Sequence, residues 1–341
     1  MIKSFLKYHS RLATVITLAV TLLIPVVNSR AERNNPDVIV SALTGKDSVV
    51  ILITDSGLGG ISVQALLEQH FREKRSFSYA KLLFVNALHS AGKKYNYLGS
   101  ESEKAGLFDQ FLESVTDKYK PDLILIACNT LSVVYERTRY RELGKVPVIG
   151  IVDLGIKMIS DELKASGKSR DVIIIGTETT ISSGDHINGL VKSGADISRV
   201  HSQVCPSLES EIQQDPDGEM IKSLLEFYAG EAKEKLSQPA DTIAVALCCS
   251  HYGFIASRIS SEFEKGTGSK IKILNPNYSM SGLFNLLPAK QDKQAIESGV
   301  VSQVTISPEE RSAIGGMIKE MAPLTYYALL NYNHIPGLFG K

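Results

Sequence analysis

Two cysteines of this 341-residue chain stand directly after apolar runs, each followed by side chains that hydrogen-bond. One segment is Ala127-Cys128-Asn129-Thr130; the other is Leu247-Cys248-Cys249-Ser250-His251-Tyr252-Gly253. A thiol has a reference pKa of about 8.5, so it can hold or release a proton near working pH. A helix beginning just beyond it favours the thiolate. A single buried cysteine is more often a small hydrophobe, and a single histidine a satisfied structural group. Two strand-end thiols in similar company make the chemical reading stronger. Within the second segment Cys249 is the counterpart of Cys128, because it directly precedes Ser250-His251 as Cys128 precedes Asn129-Thr130. Its neighbour Cys248 would face the other side of a strand. Inverting a carbon centre beside a carboxylate needs one proton removed from one face and another delivered to the opposite face. Two opposed thiols do this without turning the substrate. Fixed polar groups around the carboxylate would stabilise the carbanion.

Two further segments carry polar groups at strand ends. Asp55-Ser56-Gly57-Leu58-Gly59-Gly60 reads as a carboxylate site at a helix start, or more plainly as a tight turn capped by Asp55 or Ser56. It does not fit the dinucleotide or nucleoside-triphosphate loop patterns. Gly176-Thr177 through Ser183 is the other.

The elements that must position these groups alternate. Apolar, Val/Ile/Leu-rich runs at 49–54, 81–85, 122–127, 146–152, 171–176, 242–247 and 271–274 read as strands buried on both faces. Helical stretches at 60–70, 101–119, 132–141, 154–166, 220–236 and 251–264 lie between them. The pattern predicts an α/β fold with parallel sheets covered by helices, binding ligands at the carboxyl ends of the strands. A final helical stretch at 307–332 would pack on the first domain or on a second copy, so a homodimer is one of two readings. Lys+Arg and Asp+Glu are 37 each, which gives no sign of a nucleic-acid partner. The four cysteines show no zinc spacing and are too few for a disulfide scaffold.

Residues 1–31 differ from the rest. Lys3, Lys7 and Arg11 precede an uncharged run ending in Ser29-Arg30-Ala31. This describes an export signal cut after Ala31, with no membrane contact afterwards and a periplasmic location. An uncleaved membrane anchor and a buried helix are the other readings of the segment.

Together these segments resemble the glutamate racemase branch of the aspartate/glutamate racemase superfamily. The run from Ile53 to Val63 looks like its opening D-S-G-x-G-G-x-S-V motif, and Ala127-Cys128-Asn129-Thr130 like its first cysteine motif. Gly176-Thr177 with Thr180 and Ser183 looks like G-T-x-x-T-x-x-S, and Cys249-Ser250-His251-Tyr252 like C-T-H-Y. The resemblance covers roughly residues 48–280. It implies two pseudo-symmetric α/β domains with the active site in the cleft between them. Their extents would be 36–152 plus 273–341, and 153–272. It also implies cofactor-independent, metal-free racemisation of glutamate or another acidic amino acid by Cys128 and Cys249. Asp55, Ser56, Asn129, Thr130, Thr180, Ser250 and His251 would contact the substrate or tune the thiols, with Asp55 and His251 beside opposite cysteines. A superfamily isomerase or decarboxylase, and an exported amino-acid binding protein on the same scaffold, are the competing readings. Retention of both thiols argues against the binding protein. The chain departs from the family at 86–99. Asn86 stands where an acid is usual, and Ala91-Gly92-Lys93 falls at P-Y-G unless an insertion brings Tyr97 and Gly99 into that role.

Overall fold

The computed structural model describes residues 35–91, 94–166, 170–236, 241–289 and 293–340. The segment read as an export signal lies outside them. Among the described residues ten strands form two sheets, and every pairing is parallel. The strands are β1 (Ser48–Asp55), β2 (Tyr79–Asn86), β3 (Leu123–Ile126), β4 (Val148–Gly150), β5 (Asp171–Gly176), β6 (Val200–Val204), β7 (Thr242–Cys248), β8 (Lys270–Leu274), β9 (Ala295–Ser302) and β10 (Asn333–His334). The first sheet runs β10-β9-β2-β1-β3-β4 and the second β6-β5-β7-β8. The order β2-β1-β3-β4 has the same form as β6-β5-β7-β8, so the pseudo-symmetry is visible in the connectivity. Central strands are apolar along their length because both faces are covered. All six residues of β5 are buried, as are the last five of β1.

The chain passes from the first sheet to the second through the helix Ile151–Ser166. Its Ile151 and Leu154 pack into the first core, and its Ile159 and Leu163 into the second. It returns after β8 through the helix Pro276–Gly282, whose Met280 lies in the first core. The run at 146–152, expected as one strand, is divided. Only Val148–Gly150 is strand, and Ile151 and Val152 open the helix. An apolar run this short fits either period, and the helix is the element that buries it against both cores.

The expected helix at 132–141 is also two pieces, Asn129–Tyr135 and Tyr140–Leu143, and it starts earlier. The stretch at 251–264 opens with a 3₁₀ turn, Ser250–Ile255, before the helix Ala256–Thr267. The C-terminal helical stretch is broken at Pro323 into Pro308–Ile318 and Pro323–Leu330. Ile314, Ile318 and Leu329 pack in the first core. Buried Glu68 accepts the backbone N–H groups of Leu324 and Thr325 at 3.1 and 2.7 Å and so caps the last helix. Among the described residues no helix is long and apolar enough to cross a membrane.

Candidate active site

The carboxyl ends of β1, β3, β5 and β7 converge on a cavity of about 50 Å³. Cys128, Cys249, Asp55, Ser56, Asn129, Thr130, Thr180, Ser250 and His251 all line it. The two thiols follow equivalent strands, β3 and β7, and each sheet therefore presents one. All four cysteines are free and buried. Cys248 also reaches the cavity wall, although its side chain belongs to the core on the opposite face of β7 from Cys249. Cys205 does not line it; its Sγ lies 3.8 Å from the Gln203 carbonyl.

Cys128 is the N-cap of the helix Asn129–Tyr135, and the Leu131 N–H donates to its sulfur at 3.4 Å. The Ser56 hydroxyl lies 3.3 Å from the same sulfur. The helix start was expected to lower this thiol's pKa. It does not prevail: burial, followed by the Asp55 charge, pushes Cys128 up to about 12 against the opposing bonds from Ser56 and Leu131. Burial likewise raises Cys249 well above its ordinary value, with Glu209, Asp55 and Cys128 adding and the His251 backbone N–H opposing.

His251 stands beside Cys249, with Nδ1 3.8 Å from the sulfur. Its other nitrogen, Nε2, lies 3.0 Å from Gln213 Oε1. The orientation of Gln213 is fixed independently. Its Oε1 accepts the Leu58 backbone N–H at 2.8 Å, and its Nε2 donates to Glu310 Oε1 at 2.6 Å. A backbone N–H can only donate and a carboxylate can only accept, so His251 Nε2 must carry the proton. Burial lowers the His251 pKa, so the ring is neutral at pH 7 and Nδ1 offers a lone pair to the Cys249 thiol.

Asp55 ties the halves of the site together. Its Oδ1 accepts the Gly57 N–H at 3.1 Å, and its Oδ2 accepts the Ser250 hydroxyl. Asp55 therefore bonds next to the second cysteine, while its neighbour Ser56 touches the first. Thr130 Oγ1 lies 2.9 Å from Thr177 Oγ1 and 3.3 Å from Thr180 Oγ1, another bridge between the sheets. Both polar atoms of the buried Asn129 amide lack a partner. They belong to a cavity wall, which is where an unpartnered polar group serves a ligand.

The glycine turn after β1 works by closeness. The helix Ile61–Lys74 has no side-chain cap, against the plainer reading of Asp55 or Ser56 as its cap. A Cβ on Gly59 would sit 2.3 Å from Ser250 Oγ and 2.8 Å from the His251 backbone nitrogen. Only a residue without one lets the first lobe meet the second here.

Sequence reasoning missed Lys94, Tyr95, Asn96, Glu209, Ser210 and Gln213, all in the cavity wall. It offered Tyr97 as a substrate-holding residue. Tyr97 is 71% exposed, whereas Tyr95 is 1% exposed and lines the cavity. The 3₁₀ turn Tyr95–Tyr97 places residues two apart on different sides. Among the described residues no group of three or more His, Cys, Asp or Glu side chains is gathered to hold a metal ion.

Residues 65–277 match the family described as Asp/Glu/hydantoin racemase. A glutamate racemase of Aquifex aeolicus (strain VF5) is 31% identical over 144 residues, 42% of this chain and 51% of the relative. The glutamate racemase of Aliivibrio fischeri (strain ATCC 700601 / ES114) is 26% identical over 289 residues, 84% of this chain and 97% of the relative. The crystal structure of glutamate racemase from Francisella tularensis subsp. tularensis SCHU S4, in complex with D-glutamate, shares the fold. Its TM-score is 0.60 at 17% identity, covering 80% of this chain and 94% of that one. The family match takes in more than half of the chain, which therefore belongs to the Asp/Glu/hydantoin racemase family, as an amino-acid racemase.

Proposed function

We propose that the protein racemises an acidic amino acid by direct proton transfer between Cys128 and Cys249, without a cofactor. The observation that carries this reading is that thiols from two equivalent strands line one cavity, each with its own polar partner. The D-glutamate named with the Francisella enzyme supports an acidic substrate.

The substrate ammonium binds beside Asp55, and its α-carboxylate takes the free amide of Asn129 and the hydroxyls of Thr130 and Thr180. The ammonium brings a positive charge to a cavity where both thiols are held protonated, and this favours a thiolate. From one enantiomer, Cys249 passes its proton to His251 Nδ1 and becomes the base. Its sulfur takes the α-proton, the C–H electron pair stays on the α-carbon and spreads into the substrate carboxylate, and an S–H bond forms. The Cys128 S–H breaks as a new C–H bond forms on the opposite face. One thiol and one thiolate remain, with their places exchanged, and the His251 imidazolium keeps the proton it took. The other enantiomer is taken from that state in reverse: the Cys128 thiolate, held by Ser56 and the Leu131 N–H, removes the α-proton, the Cys249 S–H delivers one to the opposite face, and the Cys249 thiolate takes its proton back from His251.

The test is incubation with single L- and D-amino acids in deuterated water, following optical rotation and deuterium at the α-carbon. Inversion and exchange should vanish in Cys128→Ser and in Cys249→Ser. Tight binding of acidic amino acids with no exchange would favour the binding-protein reading instead. Export is part of the proposal: protein recovered from the periplasm should begin at Glu32, and an intact Met1 there would contradict cleavage.

A further inference from the structure

The cavity wall contains one cation that the sequence motifs do not include. Lys94 lies on the loop after β2, between that strand and the helix Glu101–Tyr119, and lines the cavity. Its Nζ donates to the Ser210 hydroxyl, which belongs to the helix Leu208–Gln214 of the other lobe. An ammonium has three donors, so this bond leaves others free. Among the described residues no carboxylate stands within ion-pair distance of Lys94. The carboxylate beyond Ser210 is already served: Glu209 Oε1 accepts the Ser210 hydroxyl at 3.2 Å and sits in the first turn of its helix, where the exposed N–H groups favour an anion. Next to Lys94, the buried Tyr95 hydroxyl has no partner, and neither does Asn96 Oδ1. The loop thus brings a cation without an ion pair, next in sequence to two unsatisfied polar groups, to the same cavity as the Asp55–Thr130 region where the amino-acid head group is placed.

We propose that Lys94 is the specificity-determining residue for the substrate's side chain, pairing its ammonium with a distal carboxylate, which takes the place of Ser210 as its partner. This rests on the amino-acid reading of the cavity and assigns what that reading leaves open, the group that selects an acidic side chain.

The test compares wild type, Lys94→Met and Lys94→Arg on glutamate and aspartate against glutamine and alanine, by α-deuterium exchange and by calorimetric binding. Loss of a charge-assisted bond should lower kcat/KM for the acidic pair about 10- to 100-fold. The neutral pair should change less than about 3-fold. Lys94→Arg should restore most of the acidic preference. An acidic-to-neutral ratio unchanged in Lys94→Met, or a wild-type preference for the neutral pair, overturns the proposal while leaving racemisation standing. Binding of glutamate or aspartate that depends on Lys94, with no exchange in wild type, has the opposite meaning: the selectivity role holds and racemisation fails.

Discussion

Exchanging Gln213 and Glu310 tests how the second thiol is tuned. Gln213 accepts from His251 Nε2 at 3.0 Å and donates to Glu310 at 2.6 Å. Gln213→Glu alone would put two carboxylates in contact, and they would share a proton. Combining it with Glu310→Gln keeps an amide-to-carboxylate bond between the positions. It also keeps an acceptor for the Leu58 N–H, and for the Ser307 N–H in the capping box. The double variant's net change is a carboxylate 3.0 Å from the imidazole. At an effective dielectric constant of about 20 that contact is worth roughly 5 kcal/mol. Burial opposes it, and opposite charges this close shift a pKa by about 1–3 units. His251, held neutral in the native protein, should become an imidazolium at neutral pH. Its Nδ1 then donates to the Cys249 sulfur instead of accepting from it, so the Cys249 pKa should fall. The assay is the pH dependence of α-deuterium exchange from each enantiomer at saturating substrate, where kcat can differ between the directions. The profile for the direction begun by Cys249 should move about 1–3 units toward acid. The direction begun by Cys128 should hold its position. Unmoved profiles in both directions would refute the tautomer assigned to His251.

Three further outcomes follow from the same geometry. Gly59→Ala forces a Cβ against the Ser250 hydroxyl and the His251 backbone, so kcat/KM should fall about 100-fold while stability falls only about 1–3 kcal/mol; native-like activity would mean the lobes meet less closely. Cys128 is pushed up from 9.0 to about 12, so its alkylation by iodoacetamide should be slow at pH 8 and rise with pH well beyond 9; its contribution to stability is complete below the unfolded value near 9 and is lost as pH climbs through about 12, as denaturation at pH 8 and pH 11 can measure. His186 is buried with neither ring nitrogen bonded, and burial lowers its pKa from 6.5 to about 4. Its share of stability is present above 6.5 and lost as pH falls through 4, so His186→Leu should spare up to about 3 kcal/mol of acid destabilisation; equal acid sensitivity in both proteins would count against it.

The parts legible in the sequence were those whose physics is local. β1, β5 and β7 are runs of Val, Ile and Leu because both faces are covered, and the polar residues that end them announce a ligand site. β6 and β9 were missed because their sequences, VHSQV and AIESGVVS, mix polar residues into half-exposed strands. β9 owes its place to eight residues of pairing with β2, more than 200 positions away in the chain, which no local pattern records. The same distance hid Gln213, whose partner Leu58 lies 155 residues away, and Lys94, which meets Ser210 across the cleft. The thiols could be read from their neighbours, but their pKa values could not. The helix terminus at Cys128 is visible in the sequence; the burial that outweighs it is a property of the closed cavity.

The repeated strand order supplies one thiol per lobe, yet the partners differ: a serine hydroxyl and amides at Cys128, an imidazole at Cys249. Mirror-image amino acids have equal free energies in water, so their interconversion has an equilibrium constant of one. The ratio of kcat/KM values for the two directions is therefore pinned at unity, whatever the lobes do. Under the proposed two-thiol mechanism, unequal thiols can express themselves only by raising kcat and KM together for one enantiomer relative to the other. A near-symmetric fold carrying asymmetric chemistry thus makes a protein that saturates differently with left- and right-handed substrate while favouring neither.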